Sequence, residues 1–454
     1  MAKAAKPGQS STRQPSTASP SSAAVSSSPR KRGSSVLSRE TAKTLDSRLR
    51  GNDGQKQKPI PTRLGDIVNF KRGYDLPESS RRPGPYPVIS SAGISGYHNE
   101  YKVRGEGVVT GRYGTLGEMH YYNGEYWPHN TALYVTDFKS NIPKYAYYLL
   151  SSLGQLNTGG KSTVPGVNRN DLHELKVPLI SDREAQQKIV DVISAIDAKI
   201  DLNNRINAEL EALAKTIYDY WFVQFDFPDA NGRPYRSSGG KMVWNDALMR
   251  EIPAGWEVGQ LGKWLNFQRG ISYRASEIND HGTPMLNLNS FRLDGSVKID
   301  GTKYYSGNFR DDQRVHPGDL VIAITDVTRN ADTTGRAFVV PDLFSEAPLI
   351  SCDVAAVHAE SFFSAHYLEK LFNSEHYHNY LRPFASDTLV LHLNIDGIRW
   401  FQSFLPPRTI LDKYDATAAS VRNKINANLA QNTELTQLRD WLLPLLMNGQ
   451  VRVA

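Results

Sequence analysis

The run KIDLNNRINAEL at residues 199–210 returns as KINANLAQNTEL at residues 424–435, an offset of 225 in a chain of 454 residues. In both copies, residues recur on one seam at alternating steps of four and three, which predicts a long helix that pairs along that seam. The first seam comprises Ile189, Ile193, Ile196, Ile200, Asn203, Asn207, Leu210, Ala214 and Ile217. The second comprises Tyr414, Ala418, Val421, Ile425, Asn428, Asn432, Leu435 and Leu442.

Two apolar seams of the same register need a partner surface, and each is the nearest candidate for the other. Asparagine at paired seam positions costs stability but fixes the register of a helix pair. The alternative, that Asn203 and Asn207 face solvent at a bend, stays open at this point. The pattern permits parallel or antiparallel pairing, and we favour an antiparallel coiled coil. Ser181 is expected to be the N-cap of the first helix, with Glu184 three residues later.

The globular segments before the helices are also copies of each other. LGDIVNFKRG at 64–73 matches LGKWLNFQRG at 261–270 with an offset of 197, and GEGVV at 105–109 resembles GDLVI at 318–322 with an offset of 213. Asn168 matches Asn394 with an offset of 226. The offset grows inside the globular segments and stays constant along the helices. The globular segments have therefore diverged by insertion while the helices kept their length.

Short β-type runs at 132–135 and 177–180 alternate with a short helical run at 144–153, which predicts a mixed α/β (α+β) fold. We therefore predict an internal pseudo-twofold duplication. Its parts are a globular domain at 59–180, a helix and connector at 181–250, a second globular domain at 251–408 and a second helix at 409–454.

The composition limits the class of protein. An apolar content of 39% is ordinary for a globular protein, and no apolar run is long enough to span a membrane. The single cysteine, Cys352, excludes a disulfide framework and suits a reducing, cytoplasmic location. Residues 1–58 carry 12 Lys and Arg against 3 Asp and Glu, and we expect this tail to be disordered. It is either a basic arm that tethers DNA or a plain extension.

The sequence offers little support for catalysis or for a metal site. GQLNTGGKS at 154–162 resembles a phosphate-binding loop but has the wrong glycine spacing, and Pro165 follows it. Asp197-Ala198-Lys199 has the end of a nuclease motif but lies on the first long helix. His376 and His378 stand at i, i+2 in a predicted helix, so they point to different faces and make a poor zinc site.

Basic and aromatic residues are interleaved with glycine in several loops, a pattern typical of DNA contacts. The first domain is net +3 and the second is net −5, so the second can bind DNA only where its charge is segregated. The candidates in the first domain are Lys71, Arg72, Tyr74, Arg81, Arg82, Arg112, Tyr113, Lys161, Ser162 and Thr163. Those in the second are Arg269, Arg274, Arg329 and Arg336.

Over residues 59–454 the pattern resembles the specificity subunit of type I restriction–modification systems. The resemblance is carried by GRYGTLG at 111–117 and STVPGVN at 162–168, and most specifically by a connector with FDFP at 225–228, SGGKMVW at 238–244 and IPAGW at 252–256. DTLVLHLN at 387–394 is the second counterpart of KSTVPGVN at 161–168 and lacks its Lys and Pro, so a contact by Lys161 would have no equivalent there.

The resemblance implies two target-recognition domains that read the halves of a split double-stranded DNA sequence. The helices would set the unread spacer and dock two methyltransferase subunits, with restriction (translocase) subunits in the full complex. S-adenosylmethionine, ATP and Mg would belong to the partner subunits, and this chain would be non-catalytic. The rival hypotheses are a two-headed scaffold that binds protein or carbohydrate, and a DNA enzyme with a cryptic site.

Overall fold

The computed structural model describes residues 59–111, 118–153, 169–328, 330–359, 363–386 and 390–453. Some of the predictions made from the sequence lie outside these residues. They concern the tail at 1–58, the loop at 154–162, and the candidate DNA contacts Arg112, Tyr113, Lys161, Ser162, Thr163 and Arg329.

The first globular unit contains both strands and helices, as the predicted mixed α/β fold requires. Its elements are β1 (Ile60–Arg63), α1 (Leu64–Ile67), β2 (Asn69–Arg72), β3 (Tyr86–Ser90), β4 (Gly93–His98), β5 (Val103–Gly111), β6 (Met119–Pro128), β7 (Ala132–Asp137), α2 (Pro143–Leu153), α3 (Arg169–Glu174) and β8 (Lys176–Leu179). Six strands form one sheet in the order β2-β7-β5-β6-β3-β4, and β1 pairs separately with β8.

The first long helix, α4 (Arg183–Tyr218), is followed by a π-helical turn at Asp219–Val223 and by the hairpin of β9 (Met242–Asn245) and β10 (Arg250–Pro253). Asp182 caps α4, because its carboxylate accepts a hydrogen bond of 3.2 Å from the amide nitrogen of Glu184. The expectation that Ser181 is the N-cap was therefore wrong by one residue.

The second globular unit has shorter strands divided among several sheets. Its elements are β11 (Glu257–Gln260), β12 (Leu265–Arg269), β13 (Ile278–Asn279), β14 (Thr283–Leu286), β15 (Lys303–Tyr305), β16 (Leu320–Ala323), β17 (Thr325–Asp326), β18 (Ala337–Val339), β19 (Leu349–Ile350), β20 (Val354–Ala359), α5 (Ala365–Phe372), α6 (Glu375–Leu381), β21 (Ala385–Ser386), β22 (Leu391–Leu393), α7 (Ile395–Trp400) and β23 (Gln402–Leu405). The sheets are β12-β20-β16-β18, β13-β15-β14-β19, β17-β22-β21 and the pair β11-β23. The second long helix, α8 (Arg408–Met447), follows β23.

The strand pairing repeats the duplication found in the sequence. β2, β7 and β5 are neighbours in the first sheet, as β12, β20 and β16 are in the second. The pair β1-β8 ends at Arg63 opposite Lys176, and the pair β11-β23 ends at Gln260 opposite Gln402. Gln260 follows Arg63 by 197 residues and Gln402 follows Lys176 by 226 residues, which are the offsets found in the sequence. The long helices begin 225 residues apart, at Arg183 and Arg408.

One predicted match is out of register by a residue. Val109 pairs with Tyr134 in β7, and Val321 pairs with Ala356 at the same position of the second sheet, so the offset is 212 and not 213. An offset of 213 would match Val108 with Val321. Val108 packs in the core beside the long helices, whereas Val321 packs in a separate core of the second unit. Because side chains alternate between the faces of a strand, a shift of one residue exchanges the two faces.

The two long helices pack against each other in opposite directions. Asn203 of α4 donates hydrogen bonds to Gln431 and Asn432 of α8, both at 2.9 Å, and Asn428 donates to Asn207 at 2.8 Å. From Asn203 to Asn207 the residue numbers of α4 increase, while those of their partners in α8 decrease from 431 and 432 to 428. The helix pair is therefore antiparallel. Asn203 is 0% exposed, and Asn207 is half-buried and accepts the bond from Asn428, so the alternative that Asn203 and Asn207 face solvent was wrong.

Each globular unit packs its helices onto a different end of the helix pair. The first core joins Tyr145 and Leu149 of α2 to Ile193 of α4 and to Leu442 and Leu446 of α8. The second core, at the other end of the pair, joins α5 and the connector to the beginning of α8. In the part of the chain that the structure describes, no helix is long and apolar enough to cross a bilayer.

Candidate nucleic-acid interface

In the first unit, the candidate residues Lys71, Arg72 and Tyr74 meet at the end of β2. Arg72 is opposite Leu133 of β7, and Leu133 is also opposite Thr110 of β5. Gly111, the last described residue of this segment, therefore lies at the same end of the sheet as Arg72, with only β7 between their strands. Sheet pairing thus joins two segments that are about 40 residues apart in the sequence.

The side chain of Arg72 is 53% exposed, and its guanidinium is only loosely held. Its Nη2 lies 3.7 Å from Asp75 Oδ1, and its Nε lies 3.4 Å from the carbonyl oxygen of Asn130. Contacts of this length, made by exposed groups, contribute little to stability. The guanidinium can therefore be redirected to a ligand at small cost to the fold.

Tyr74 is the centre of an aromatic and basic group beside Arg72. Its hydroxyl lies 3.1 Å from that of Tyr134, and this hydrogen bond lowers the pKa of Tyr74. The ammonium group of Lys71 lies 5.4 Å from the centroid of the Tyr74 ring. Trp127 packs against Tyr74, and Lys102 lies 4.5 Å above the Trp127 ring.

Lys102 and Trp127 were not predicted as part of this group. They come together only through the sheet, because β5 and β6 place Val103 opposite Tyr126. No short motif in the sequence joins a lysine at the start of one strand to a tryptophan at the end of the next.

Arg81 and Arg82 lie by the hairpin of β3 and β4. The Nη1 of Arg81 donates a hydrogen bond of 2.8 Å to the carbonyl oxygen of Ser95. The side chain of Arg82 is exposed, while its backbone nitrogen donates to His98 at 3.1 Å. Arg82 therefore has the freer guanidinium of the two.

In the second unit, Arg269 occupies the position that Arg72 occupies in the first. It ends β12 opposite Ala355 of β20, as Arg72 ends β2 opposite Leu133 of β7. The side chain of Arg269 is exposed, and it makes no hydrogen bond or ion pair within the described ranges. The pairing thus confirms the predicted match of the two Arg-Gly steps.

The glycine after each arginine is required by a close approach of the backbone. A Cβ atom on Gly73 would lie 2.1 Å from the carbonyl oxygen of His129, and one on Gly270 would lie 2.1 Å from that of Ile350. At both places the chain continues into an isolated parallel bridge, Tyr74 with His129 and Ile271 with Ser351. Each arginine is therefore held at a fixed corner of its sheet.

Arg274 and Arg336 differ from Arg269 in how they are placed. Arg274 is exposed, and its backbone nitrogen donates to the carboxylate of Glu277 at 2.7 Å. Arg336 is partly buried, donates to the carbonyl oxygens of Asp332 and Asn373 at 3.3 and 3.0 Å, and has a pKa lowered by burial. The guanidinium of Arg336 is thus occupied inside the fold.

The histidines considered as zinc ligands lie on α6, the helix predicted for them. His376 is exposed and packs on Phe401, whereas His378 is 3% exposed. Among the residues that the structure describes, no three His, Cys, Asp or Glu side chains are grouped so that they could hold a metal ion.

The fold has two globular units, and each presents one exposed arginine at the end of a strand, Arg72 in the first unit and Arg269 in the second. Residues 61–212 match the family described as type I restriction modification DNA specificity domain. The chain is 26% identical to the MjaIX specificity subunit of Methanocaldococcus jannaschii, covering 70% of this chain and 72% of the relative. It is 23% identical to the HindI specificity subunit of Haemophilus influenzae, covering 71% and 81%.

The fold is also similar to a crystal structure of the S subunit of a type I restriction–modification system from M. genitalium. The TM-score is 0.51 at 15% identity, over 87% of this chain and 98% of that one. Residues 61–212 thus match the DNA specificity domain of type I restriction–modification systems, and the chain is similar along about 70% of its length to specificity subunits of such systems.

Proposed function

We propose that this chain is the non-catalytic subunit that gives a type I restriction–modification complex its DNA specificity. Each globular unit, taken as a target-recognition domain at 59–180 and 251–408, would read one half of a split target. The observation that carries the proposal is the repeated corner: Arg72 and Arg269 are exposed at the same strand position, each before a glycine that admits no side chain. An exposed guanidinium can contact phosphate or bind guanine through two hydrogen bonds.

The helix pair supplies the distance between the two half-sites. The helices α4 and α8 have 36 and 40 residues, so they are about 54 and 60 Å long. One turn of duplex is about 34–36 Å. Units held at opposite ends of such a pair, which we take to be an antiparallel coiled coil, would read half-sites separated by bases that neither unit contacts.

The same proposal assigns the chemistry to partner subunits. Two methyltransferase subunits would dock on the helix pair, with restriction subunits joining them, and those partners would bind S-adenosylmethionine, ATP and Mg. Such partners would cover exposed apolar side chains of the long helices, among them Leu202 (41% exposed), Leu213 (48%) and Trp441 (59%). The complex would act on DNA in the prokaryotic cytoplasm.

The test is to map methylated bases in cells that carry this chain and its partner methyltransferase, against cells that lack only this chain. The expected result is methylation at one bipartite sequence with a fixed unread gap, lost when the chain is absent. Arg72→Ala should relax one half of the sequence, and Arg269→Ala should relax the other. A continuous motif, or methylation that persists without the chain, would contradict the proposal. So would cleavage or methylation of DNA by the purified chain alone.

A further inference from the structure

A buried network of charges joins the second globular unit to both long helices. Arg422 of α8 donates through Nη2 to both carboxylate oxygens of Glu369 on α5, at 2.6 and 2.5 Å. Through Nη1 it donates to Glu211 of α4 at 2.9 Å. Lys370, next to Glu369, donates to the other carboxylate oxygen of Glu211 at 2.7 Å. We call these four residues the second junction.

The second junction is closed to water at its centre. The side chains of Arg422 and Glu369 are only 9% and 2% exposed. Glu369 also accepts a hydrogen bond of 3.1 Å from the amide nitrogen of Val339, which ties it to β18. Burial would raise the pKa of Glu369, but the charges of Arg422 and Lys370 hold this pKa below its ordinary value. One guanidinium thus connects a strand and a helix of the second unit to both long helices.

A different set of groups occupies the corresponding place at the other end of the helix pair. Tyr148 of α2 donates to Asp197 of α4 at 2.7 Å, and Arg439 of α8 donates to Asp197 at 3.2 Å. We call these three residues the first junction. The two junctions are built in the same way. A short helix of the unit contacts the long helix that follows that unit, as Tyr148 contacts Asp197 and Glu369 contacts Arg422. The other long helix supplies a further partner, Arg439 in the first junction and Glu211 in the second.

The two junctions correspond in position and differ in charge. Asp197 and Arg422 are 225 residues apart, the repeat offset of the helices, yet one is an acid and the other a base. Their partners differ accordingly, a tyrosine hydroxyl and an arginine in one case and two glutamates in the other. A unit placed at the wrong end would take the buried Glu369 away from Arg422 and bring it, with Lys370, to the acidic Asp197. A buried carboxylate that loses its guanidinium partner is costly, so the two ends of the helix pair favour different units.

The second junction also fixes where along the helices its unit sits. A slip of one helical turn moves a side chain by about 5.4 Å, which would leave Arg422 beyond hydrogen-bond reach of both glutamates. The same movement equals between one and two base pairs, each about 3.4 Å along the duplex. A unit free to reseat by one turn would read its half-site at a different separation.

We propose that Arg422 is a positioning residue that sets the separation of the two DNA half-sites, by fixing the seat of the second unit on the helix pair. The inference rests on the proposed function. Buried ion pairs contribute little net stability compared with well-packed apolar residues, and their best-attested role is to select one register among several. The separation of the half-sites is the property that such a register would control.

The experiment uses the full chain in complex with its partner methyltransferase and measures binding to duplexes that carry the mapped target. The unread gap has its natural length, or is one base pair shorter or longer. The main variant is Arg422→Met with Glu369→Leu, which removes the buried pair and leaves Lys370 bonded to Glu211. The control variant is Lys188→Met with Glu184→Leu, which removes an ion pair on the surface of α4.

The wild-type complex and the control should prefer the natural gap by at least about tenfold. The main variant should bind the natural target about as tightly as wild type, with its preference reduced to about threefold or less. A folded main variant that keeps the wild-type preference would overturn the inference and leave the proposed function intact. A wild-type complex with no preference for gap length would instead refute the proposed function.

Arg422→Lys serves as the second variant, so that a poorly folded main variant does not leave the question open. Lysine keeps the buried charge but cannot bond two carboxylates through a planar fork. Its preference for the natural gap should fall between those of wild type and the main variant. An unchanged preference in this variant would also overturn the inference.

Discussion

Replacing Asn203 by alanine should destabilise the helix pair by an amount that depends on Asn432. The side-chain amide of Asn203 is fully buried and donates two hydrogen bonds of 2.9 Å, to Gln431 and to Asn432. A neutral hydrogen bond contributes about 0.5–1.5 kcal/mol net, so Asn203→Ala should cost about 1–3 kcal/mol. Asn432→Ala removes one of the same bonds. The double variant should therefore cost about 1 kcal/mol less than the sum of the single variants.

Hydrogen exchange of the backbone amides around these two positions in the full chain measures this effect as a free energy of local opening. Arg205→Ala is the matched control on the same helix, because Arg205 is exposed and its replacement should cost less than about 0.5 kcal/mol. The orientation of the pair is tested at the same time. Parallel pairing in the repeat register would place Asn203 opposite Asn428, so Asn203 would then couple most strongly to Asn428. That result, or additive costs for Asn203 and Asn432, would refute the reasoning.

Three further predictions follow from the two globular units. Gly73→Ala should cost about 3 kcal/mol by overpacking, since its Cβ would lie 2.1 Å from a carbonyl oxygen. Gly232→Ala is the control, because Gly232 has φ of 77° and no atom within 4 Å of the added Cβ, so this variant should cost only about 1–2 kcal/mol. Equal losses of unfolding free energy for the two variants in urea would show that Gly73→Ala causes no clash. His378 has a pKa lowered by burial to about 4 from its ordinary 6.5, so the unfolded chain takes up its proton first as the pH falls. Stability should therefore drop by about 2 kcal/mol between pH 7 and pH 5 in urea titrations, and His378→Phe should lose that part of the pH dependence. Arg72→Ala should weaken binding of the mapped target by about 1–3 kcal/mol in competition assays, and an equal loss on DNA with the first half-site scrambled would show a phosphate contact only.

The helices were the best-predicted part of the fold, because their signal is local and occurs twice. The seam residues are buried or half-buried, and the constant offset of 225 reappears as the distance between Arg183 and Arg408. The first turn was less certain, because Ser181 and Asp182 are both good N-caps. The choice between them depends on a backbone angle that the sequence does not specify.

The strands and the site were predicted less completely, because their contacts join distant parts of the chain. GEGVV and GDLVI can be matched at two offsets, and only the sheet register decides which valine faces the helices. Arg72 and Arg269 were found because a copied Arg-Gly step is a local pattern. Lys102 and Trp127 were not found, because the β5-β6 pairing alone brings them together.

The two halves of the chain are more alike in backbone structure than in the charged side chains of the two junctions. The proposed function gives a reason for the similarity and for the difference. Strand pairing, helix length and a required glycine follow from apolar pattern and close packing, and they recur in both halves. If the junctions were also identical, either unit could seat at either end, and two chains could exchange halves at little cost. The acid at Asp197 and the base at Arg422 make the ends distinguishable. An asymmetric DNA sequence can be read in one order and at one separation only if the two ends of the frame differ.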